Sequence, residues 1–297
     1  MPTLLRMAFK VVYDALYHFT DDDGWAMASH IALSLILAIF PFLIFGTTLA
    51  TFLGANQFAE TAVHLIFDTW PAEIAKPISR EVIQVLTIPR SGLLTISVLA
   101  AFYFASNGIE ALRISLNRAY RVAETRPWYV TRIVSLGYVL VLVLALAALS
   151  TALVFVPLVL KYAREWMPWL VSTMSAIDNW RNWLAIGVIV FGLFLTHLFL
   201  PAGHRTITDV LPGIVVTVLA WTAGAFIFAY YLSEFANYAA TYAGLASIMI
   251  ALVFLYMIGA IFIIGAEINA ALMKFRIRRI IARALGLGSK PDHAPDV

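Results

Sequence analysis

The sequence lacks cysteine and is poor in charge. None of its 297 residues is a cysteine, which excludes disulfides, thiolate nucleophiles, cysteine-ligated zinc and iron–sulfur clusters. Charged residues make up only 12% of the chain and hydrophobic residues 62%, whereas soluble domains contain about 25% charged residues. This composition excludes a secreted disulfide scaffold, a nucleic-acid-binding domain and an ordinary soluble enzyme. It indicates a polytopic integral membrane protein.

Long uncharged apolar runs divide the chain. Each reaches the length of about 17–25 residues that crosses a bilayer as a helix, and none shows the period-two alternation of a transmembrane β-strand. The predicted fold class is therefore all-α, with one membrane domain over residues 1–285 and a disordered cytoplasmic tail over 286–297. The six predicted transmembrane helices are 25–53, 92–109, 133–160, 184–200, 210–232 and 244–273.

Basic residues are distributed unequally between the two sides of this bundle. Most of the 20 lysines and arginines fall on the side that carries both termini and the loop between spans two and three. Since cytoplasmic loops carry an excess of Lys and Arg, both termini are expected in the cytoplasm. The predicted cytoplasmic basic loop contains Arg113, Arg118, Arg121, Arg126 and Arg132.

Three segments outside the spans are amphipathic. Residues 3–19 place apolar side chains at helical spacing with charged residues between them, which predicts a helix lying at the cytoplasmic membrane interface. The external segment 56–90 predicts short interfacial helices. Residues 274–285 carry a basic face that suits an interfacial helix on anionic lipid, or alternatively a positive-inside retention signal.

Polar side chains recur at one depth near the cytoplasmic ends of four predicted spans, where such residues invite a functional hypothesis. Glu267 would supply a fixed negative charge, and His30 or His197 could carry a proton. Because successive spans run in opposite directions, the early part of span one lies beside the late parts of spans two, four and six. The predicted cytosol-facing polar cavity is formed by His30, Asn107, Glu110, His197, Glu267 and Asn269.

The same residues allow a structural interpretation. In this alternative, Glu267 forms a salt bridge with Arg113 or Arg118, while Asn107 and Asn269 hydrogen-bond neighbouring helices. Taken one by one, these residues favour the structural clamp slightly, because charges near span ends can reach the interface. Taken as a layer, they favour the cavity.

Metal binding and gating are weaker hypotheses. A metal site would require His30, His197 and Glu267 to converge from three helices, and hydrogen bonding explains these residues more simply. No metal and no cofactor are therefore expected. Pro41 lies inside span one, where it is a candidate gating hinge or, in the favoured alternative, a static kink.

Sequence motifs of known catalytic classes are missing. The chain contains no Gly-x-Ser-x-Gly elbow, no His-Glu-x-x-His pair and no Walker A spacing. A ribonuclease would also need a basic groove of nucleic-acid size with metal-binding carboxylates, for which the predicted loops are too short. The chain is predicted not to be an enzyme and not to bind nucleic acid.

Four motifs combine small, aromatic and polar residues at the span ends. They are Ala28-Ser29-His30-Ile31-Ala32-Leu33-Ser34 with Phe40-Pro41, Asn117-Arg118-Ala119-Tyr120 with Arg126 and Arg132, Pro212-Gly213 with Trp221 and Tyr230, and Gly265-Ala266-Glu267-Ile268-Asn269-Ala270. Over almost the whole chain they resemble the YihY/BrkB family of bacterial inner-membrane proteins, some of which once carried the name ribonuclease BN. The resemblance implies a six-span protein of the bacterial inner (plasma) membrane, and the associations of the family suggest lipid or envelope-related transport.

These observations lead to two functional hypotheses. The first is a membrane transporter of a lipid or other amphiphile that works through the predicted cavity. The alternative is a non-transporting membrane scaffold that organises envelope proteins through its interfacial helices and basic tail. The expected partners are membrane lipids and a lipid or amphiphile substrate, and assembly into a homo-oligomer stays open.

Overall fold

Helices account for all the regular structure of the described residues. The computed structural model describes residues 2–52, 75–76, 79, 94–166, 180–234 and 236–284. This part of the chain contains no strand, so the predicted all-α fold class is confirmed. Its seven helices are α1 (Pro2–Asp21), α2 (Gly24–Phe52), α3 (Leu94–Ala119), α4 (Trp128–Trp166), α5 (Trp180–Phe199), α6 (Ile207–Glu234) and α7 (Ala236–Ala284).

Within the described residues, three helical segments are long and apolar enough to cross a membrane, namely Trp128–Leu146, Ile207–Leu232 and Ile248–Arg276. Two shorter apolar helical segments are Gly24–Ile39 and Trp183–Phe199. Large apolar side chains on these helices point outward, as they do on a lipid-facing surface. Leu142, Phe226 and Ile227 are examples, with 50%, 68% and 70% of their surface exposed.

The helices extend beyond the predicted spans. The prediction for span two stopped at residue 109, but α3 continues to Ala119, because its polar last turns are covered by protein and place Leu116 and Ala119 in the core. Residues 274–284 continue α7 without a break, so the basic segment extends span six and is not a separate helix. An uncharged run therefore marks the apolar part of a helix and not its ends.

Some predictions fall outside the described residues. The external segment 56–90 lies outside them except for residues 75–76 and 79, and the tail 286–297 lies outside them entirely. Pro41 lies inside α2, which runs through it as one continuous helix. This geometry leaves both the hinge and the static-kink interpretation of Pro41 as predictions.

The amphipathic N-terminal segment forms α1, which packs against α7. Val11, Ala15 and Phe19 recur every four residues and are buried, so one stripe of α1 belongs to the protein core. On the same side, Lys274 Nζ donates to Asp14 Oδ1 at 2.6 Å. These contacts tie the start of the chain to the C-terminal part of the last helix.

The core lies where α2, α3, α6 and α7 meet. Helices α6 and α7 approach each other closely at two glycines. A Cβ atom on Gly213 would lie 2.1 Å from the carbonyl oxygen of Gly265, and a Cβ atom on Gly265 would lie 2.0 Å from Thr217 Oγ1. No real side chain tolerates such distances, so only glycine permits this contact.

Candidate functional site

Three of the six predicted cavity residues line one cavity between α2 and α3. This α2–α3 cavity has a volume of about 330 Å³. It combines polar groups with apolar ones, as sites for amphiphilic ligands do. Its lining residues are His30, Ser34 and Leu37 from α2 and Phe104, Asn107, Glu110 and Ile114 from α3.

Hydrogen bonds from α3 and α4 hold the two polar groups that α3 presents to this cavity. Arg132 Nη1 donates to Asn107 Oδ1 at 2.7 Å, and Ser135 Oγ donates to Glu110 Oε2 at 3.0 Å. Arg113 binds both oxygens of Glu110 in a bidentate ion pair. The amide and the carboxylate are therefore fixed in orientation, and the carboxylate has a counter-charge.

The other three predicted residues are fully buried and do not line this cavity. His197, Glu267 and Asn269 each have 0% of their surface exposed. Asn269 joins three helices, because its Oδ1 accepts from the Gly213 N–H at 2.6 Å and its Nδ2 donates to Tyr120 Oη at 3.2 Å. The Tyr120 hydroxyl lies 2.7 Å from His197 Nδ1. The hydroxyl thus accepts from Asn269 and forms a second hydrogen bond with the histidine.

Two members of this buried network were missed as site residues by sequence reasoning. Tyr120 appeared only as part of a motif, and its burial raises the pKa of its phenol, which keeps the phenol neutral. The guanidinium of Arg205 lies 3.9 Å from the centroid of the Tyr120 ring, and Arg205 Nη2 donates to the carbonyl of Ala202 at 3.0 Å. Burial lowers the pKa of Arg205. A single arginine between two spans carried no signal of this stacking.

Glu267 pairs with a different arginine of the basic loop from the two predicted as its partners. Arg121 Nη2 donates to Glu267 Oε2 at 2.8 Å, with the side chain of Glu267 1% exposed and that of Arg121 30% exposed. The predicted pairing with Arg113 or Arg118 is wrong, because those arginines point from the last turns of α3 to other carboxylates. Arg121 follows the end of that helix. The second oxygen of Glu267, Oε1, is buried and has no hydrogen-bond partner among the described residues.

The basic loop that follows α3 is organised around one carboxylate. Glu124 accepts from Arg113, from Asn117 Nδ2 at 3.0 Å and from Arg126 Nε at 2.8 Å. Arg126 also donates to the carbonyl of Leu200 at 2.9 Å, which anchors the loop to the end of α5. The hydrogen bonds and charge of Arg126 hold the pKa of Glu124 well below its usual range.

A second cavity opens beside the first. It has a volume of about 430 Å³ and shares Ile114 with the α2–α3 cavity. We call it the arginine cavity because three arginines contribute to its wall. Its charged and amide residues are Asp22, Arg113, Asn117, Arg118, Arg121 and Glu124.

Three glutamates of the site are engaged by arginines. Glu110, Glu124 and Glu267 each accept hydrogen bonds from at least one guanidinium. Within the described part of the chain, no group of three His, Asp or Glu side chains is arranged to hold a metal ion. The arrangement can therefore bind and orient polar groups, and it can hold a proton at a buried carboxylate.

Comparison with known protein families assigns the chain, and the sequence motifs whose residues meet at this site, to one family. Residues 15–282 match the family described as virulence factor BrkB. The chain belongs to this family. The resemblance predicted from the motifs is thereby confirmed, and the BrkB-family relatives named below identify the chain as a membrane protein. Several motif residues lie in the buried network, where Gly213, Gly265 and Asn269 join α6 to α7.

Relatives of this BrkB-family chain carry two kinds of name. The ribonuclease-like protein YfkH of Bacillus subtilis is 29% identical over 259 residues, which cover 86% of this chain and 92% of that protein. A UPF0761 membrane protein of Rhodospirillum centenum is 25% identical over 291 residues, covering 94% of this chain. Another from Legionella pneumophila is 25% identical over 279 residues. The chain spans only 61% and 63% of the lengths of these two UPF0761 proteins. No solved structure matches it.

Proposed function

We propose that this BrkB-family protein transports a lipid or other amphiphile across the bacterial inner membrane, through a polar cavity open to the cytoplasm. The observation that carries the proposal is the mixed lining of the α2–α3 cavity. His30, Asn107 and Glu110 offer polar contacts, while Leu37 and Phe104 offer apolar ones. An amphiphile needs both kinds of contact at once, and the volume of about 330 Å³ lies at the lower end of the range of ligand sites.

The proposal includes a topology of six spans with both termini in the cytoplasm. The five apolar helical segments described above, together with α3, supply six helices. The arginines that follow α3 support the orientation, because short cytoplasmic loops are rich in Arg and Lys. In this topology His30, early in α2, and Glu110, late in α3, lie at the cytoplasmic side.

The proposed activity involves no covalent chemistry. One relative is named ribonuclease-like, yet the carboxylates of this site are bound to arginines, and a metal-dependent nuclease needs its carboxylates free to bind metal. Purified protein incubated with RNA and Mg²⁺ should leave the RNA intact. Cleavage that co-purifies with the protein and is lost in a Glu110→Gln variant would contradict this part of the proposal.

Lipid translocation in proteoliposomes tests the transport function. A lipid with a fluorescent headgroup is placed in both leaflets, and a membrane-impermeant quencher reports how fast the inner pool reaches the outside. A Ser34→Phe substitution should fill the α2–α3 cavity, because Ser34 is 8% exposed and lines it. The matched control is Ser29→Phe, since Ser29 lies on the exposed side of the same helix.

The native protein and the Ser29→Phe variant should move lipid faster than empty vesicles do, and the Ser34→Phe variant should not. Equal insertion and equal helical content of the three proteins are required for this comparison. If the native protein moves no labelled lipid, the transport proposal fails for that lipid class, and the non-transporting scaffold becomes the hypothesis to test.

A further inference from the structure

Arg121 belongs to two sites at once. Its side chain contributes to the wall of the arginine cavity and also donates to the buried carboxylate of Glu267 at 2.8 Å. Only Nη2 of this guanidinium has a hydrogen bond to a described residue. An arginine carries five N–H donors, so the cavity side of Arg121 has donors to offer a ligand.

The backbone of Arg121 is held in a conformation that favours glycine. After α3, the Val122 N–H donates to the Asn117 carbonyl at 2.9 Å and the Arg121 N–H donates to the Arg118 carbonyl at 2.8 Å. These two bonds form a Schellman motif, in which the residue at the position of Arg121 is usually glycine. Arg121 adopts φ of 55° there. An arginine at this position keeps its side chain in the cavity wall at some cost in backbone strain.

The other charges of the arginine cavity leave room for an anion. Arg113 is bound on both sides by carboxylates, and Glu124 is saturated by its own donors. Arg118 Nη1 makes two long contacts, with Asp23 Oδ2 at 3.3 Å and with the Asp22 carbonyl at 3.4 Å, and the side chains of Arg118 and Asp23 are well exposed. Asp22 is the remaining acidic group in the wall. Arg118 and Arg121 therefore face the cavity as the two cations with donors available.

Glu267 cannot remain charged without Arg121. It is fully buried, its Oε1 atom has no hydrogen-bond partner among the described residues, and an unpaired buried carboxylate is very costly. The charged and titratable groups whose fields couple to Glu267 come from four places, and two of them are acidic. They are Arg121 after α3, Asp14 of α1, Asp22 between α1 and α2, and Lys274 of α7, with Tyr120 beside them. If Arg121 turns to a ligand, Glu267 must take up a proton.

We propose that the arginine cavity binds the phosphodiester anion of an amphiphile through Arg121 and Arg118, and that Glu267 takes up one proton from solvent as Arg121 leaves it. The inference rests on the proposed transport function and names the charge of its substrate. Charge is balanced in the exchange, because one anion and one proton enter the site together. No covalent bond forms or breaks.

Calorimetric titration of the full chain in detergent micelles tests this exchange. The ligand is dihexanoyl phosphatidylglycerol, whose phosphodiester keeps one negative charge near pH 7, so proton uptake can be assigned to the protein. Dimethyl phosphate serves as a free phosphodiester without chains, and dihexanoyl phosphatidylcholine as a lipid without net charge. Measuring the heat in two buffers with different ionisation enthalpies gives the number of protons taken up per ligand bound.

The native protein should bind the anionic lipid with uptake of about one proton, and it should bind the zwitterionic lipid at least tenfold more weakly. Glu267→Gln should bind at least as tightly without proton uptake, because the competing carboxylate is gone. Arg121→Gly should lose at least tenfold in affinity, although it relieves the backbone strain. Asp23→Gly is the matched control, since Asp23 also has a positive φ, of 57°, and it should bind no more weakly than the native protein.

Three results would overturn the proposal: no binding of the anionic lipid, binding without proton uptake by the native protein, or unchanged binding by Arg121→Gly. Equal binding of dimethyl phosphate would support the phosphodiester site and would identify its ligand as the free anion. The lipid translocation assay keeps the two proposals separate. If the native protein moves lipid but fails this titration, the anion site is wrong while the transport function stands.

Discussion

The contact between α6 and α7 leads to a prediction with an internal control. A Gly265→Ala substitution introduces a methyl group whose nearest neighbour is a side-chain atom, Thr217 Oγ1, at 2.0 Å. A Gly213→Ala substitution introduces one whose nearest neighbour is a backbone atom, the carbonyl oxygen of Gly265, at 2.1 Å. The first clash should therefore be relieved by trimming Thr217, and the second should not.

The expected magnitudes follow from these distances. Each methyl carbon would lie more than 1 Å inside the ordinary contact distance of 3.4–4 Å, and overpacking of this kind costs about 1–3 kcal/mol. Gly213→Ala also disturbs the hydrogen bond from its N–H to Asn269 Oδ1, which adds about 1–3 kcal/mol if the acceptor is left unpaired. Thr217→Ala alone should cost little in hydrogen bonding, because Thr217 Oγ1 is buried without a partner among the described residues.

Unfolding by SDS in mixed micelles, followed by tryptophan fluorescence, measures the free energies. We expect Gly265→Ala to be destabilised and the Gly265→Ala/Thr217→Ala pair to recover a large part of the loss, with a coupling energy of about 0.5–3 kcal/mol. The Gly213→Ala/Thr217→Ala pair should show no such recovery. Gly137→Ala is the control for helix propensity, because nothing lies within 4 Å of its Cβ position. Additive effects of Gly265→Ala and Thr217→Ala would refute the packing argument.

Three further predictions concern charge and access. Glu124 has a lowered pKa in the folded protein, so its ion pairs stabilise the fold above the ordinary carboxyl pKa of 4.5. This stability is lost as the pH falls through the lower folded pKa. A plot of unfolding free energy against pH in detergent should therefore be flatter in this range for Glu124→Gln, and an unchanged plot would contradict the prediction. Cysteine at His30 should react with a water-soluble maleimide in the native protein, and cysteine at the fully buried His197 should react only after unfolding. Arg126→Lys should cost about 1–3 kcal/mol in the SDS titration, because lysine cannot reproduce the two hydrogen bonds of Arg126 Nε and Nη2 to Glu124 together with the bond to the Leu200 carbonyl.

The fold class could be predicted because bilayer-spanning helices leave a strong sequence signal. Continuous apolar runs place each predicted span within a described helix, at least in part. The helix ends were less predictable, since helix formation continues into polar segments wherever the protein covers them. Residues 110–119 of α3 show this, because Arg113 is buried between the carboxylates of Glu110 and Glu124 and the buried Asn117 accepts from the backbone N–H of Ala202 after α5. A hydropathy profile reflects the preference of a segment for the membrane, and it contains no information on such local hydrogen-bond partners.

The depth of the candidate site residues along their helices was predictable, but the direction in which their side chains point was not. Rise along a helix follows from residue number at about 1.5 Å per residue, which is why one polar layer could be inferred. Asn107 and Glu110 are three residues apart and therefore share a helix face, and both line the α2–α3 cavity. The sequence could not supply the packing of α2 on that face, which brings His30 to the same cavity.

Glu267 and Asn269 show why the predicted polar layer separates into two sites in the structure. Two residues apart on a helix, they point about 200° away from each other around the axis, so they cannot share one wall. Glu267 meets Arg121 at the arginine cavity, whereas Asn269 meets the Gly213 N–H inside the α6–α7 contact. Substitutions of Glu267 and of Asn269 should therefore affect different properties of the protein. Glu267→Gln should leave the α6–α7 contact intact and abolish proton uptake, while Asn269→Leu should destabilise the helix pair. Equal loss of stability in both variants would place the two residues in one structural unit and would remove the basis for treating Glu267 as a proton acceptor.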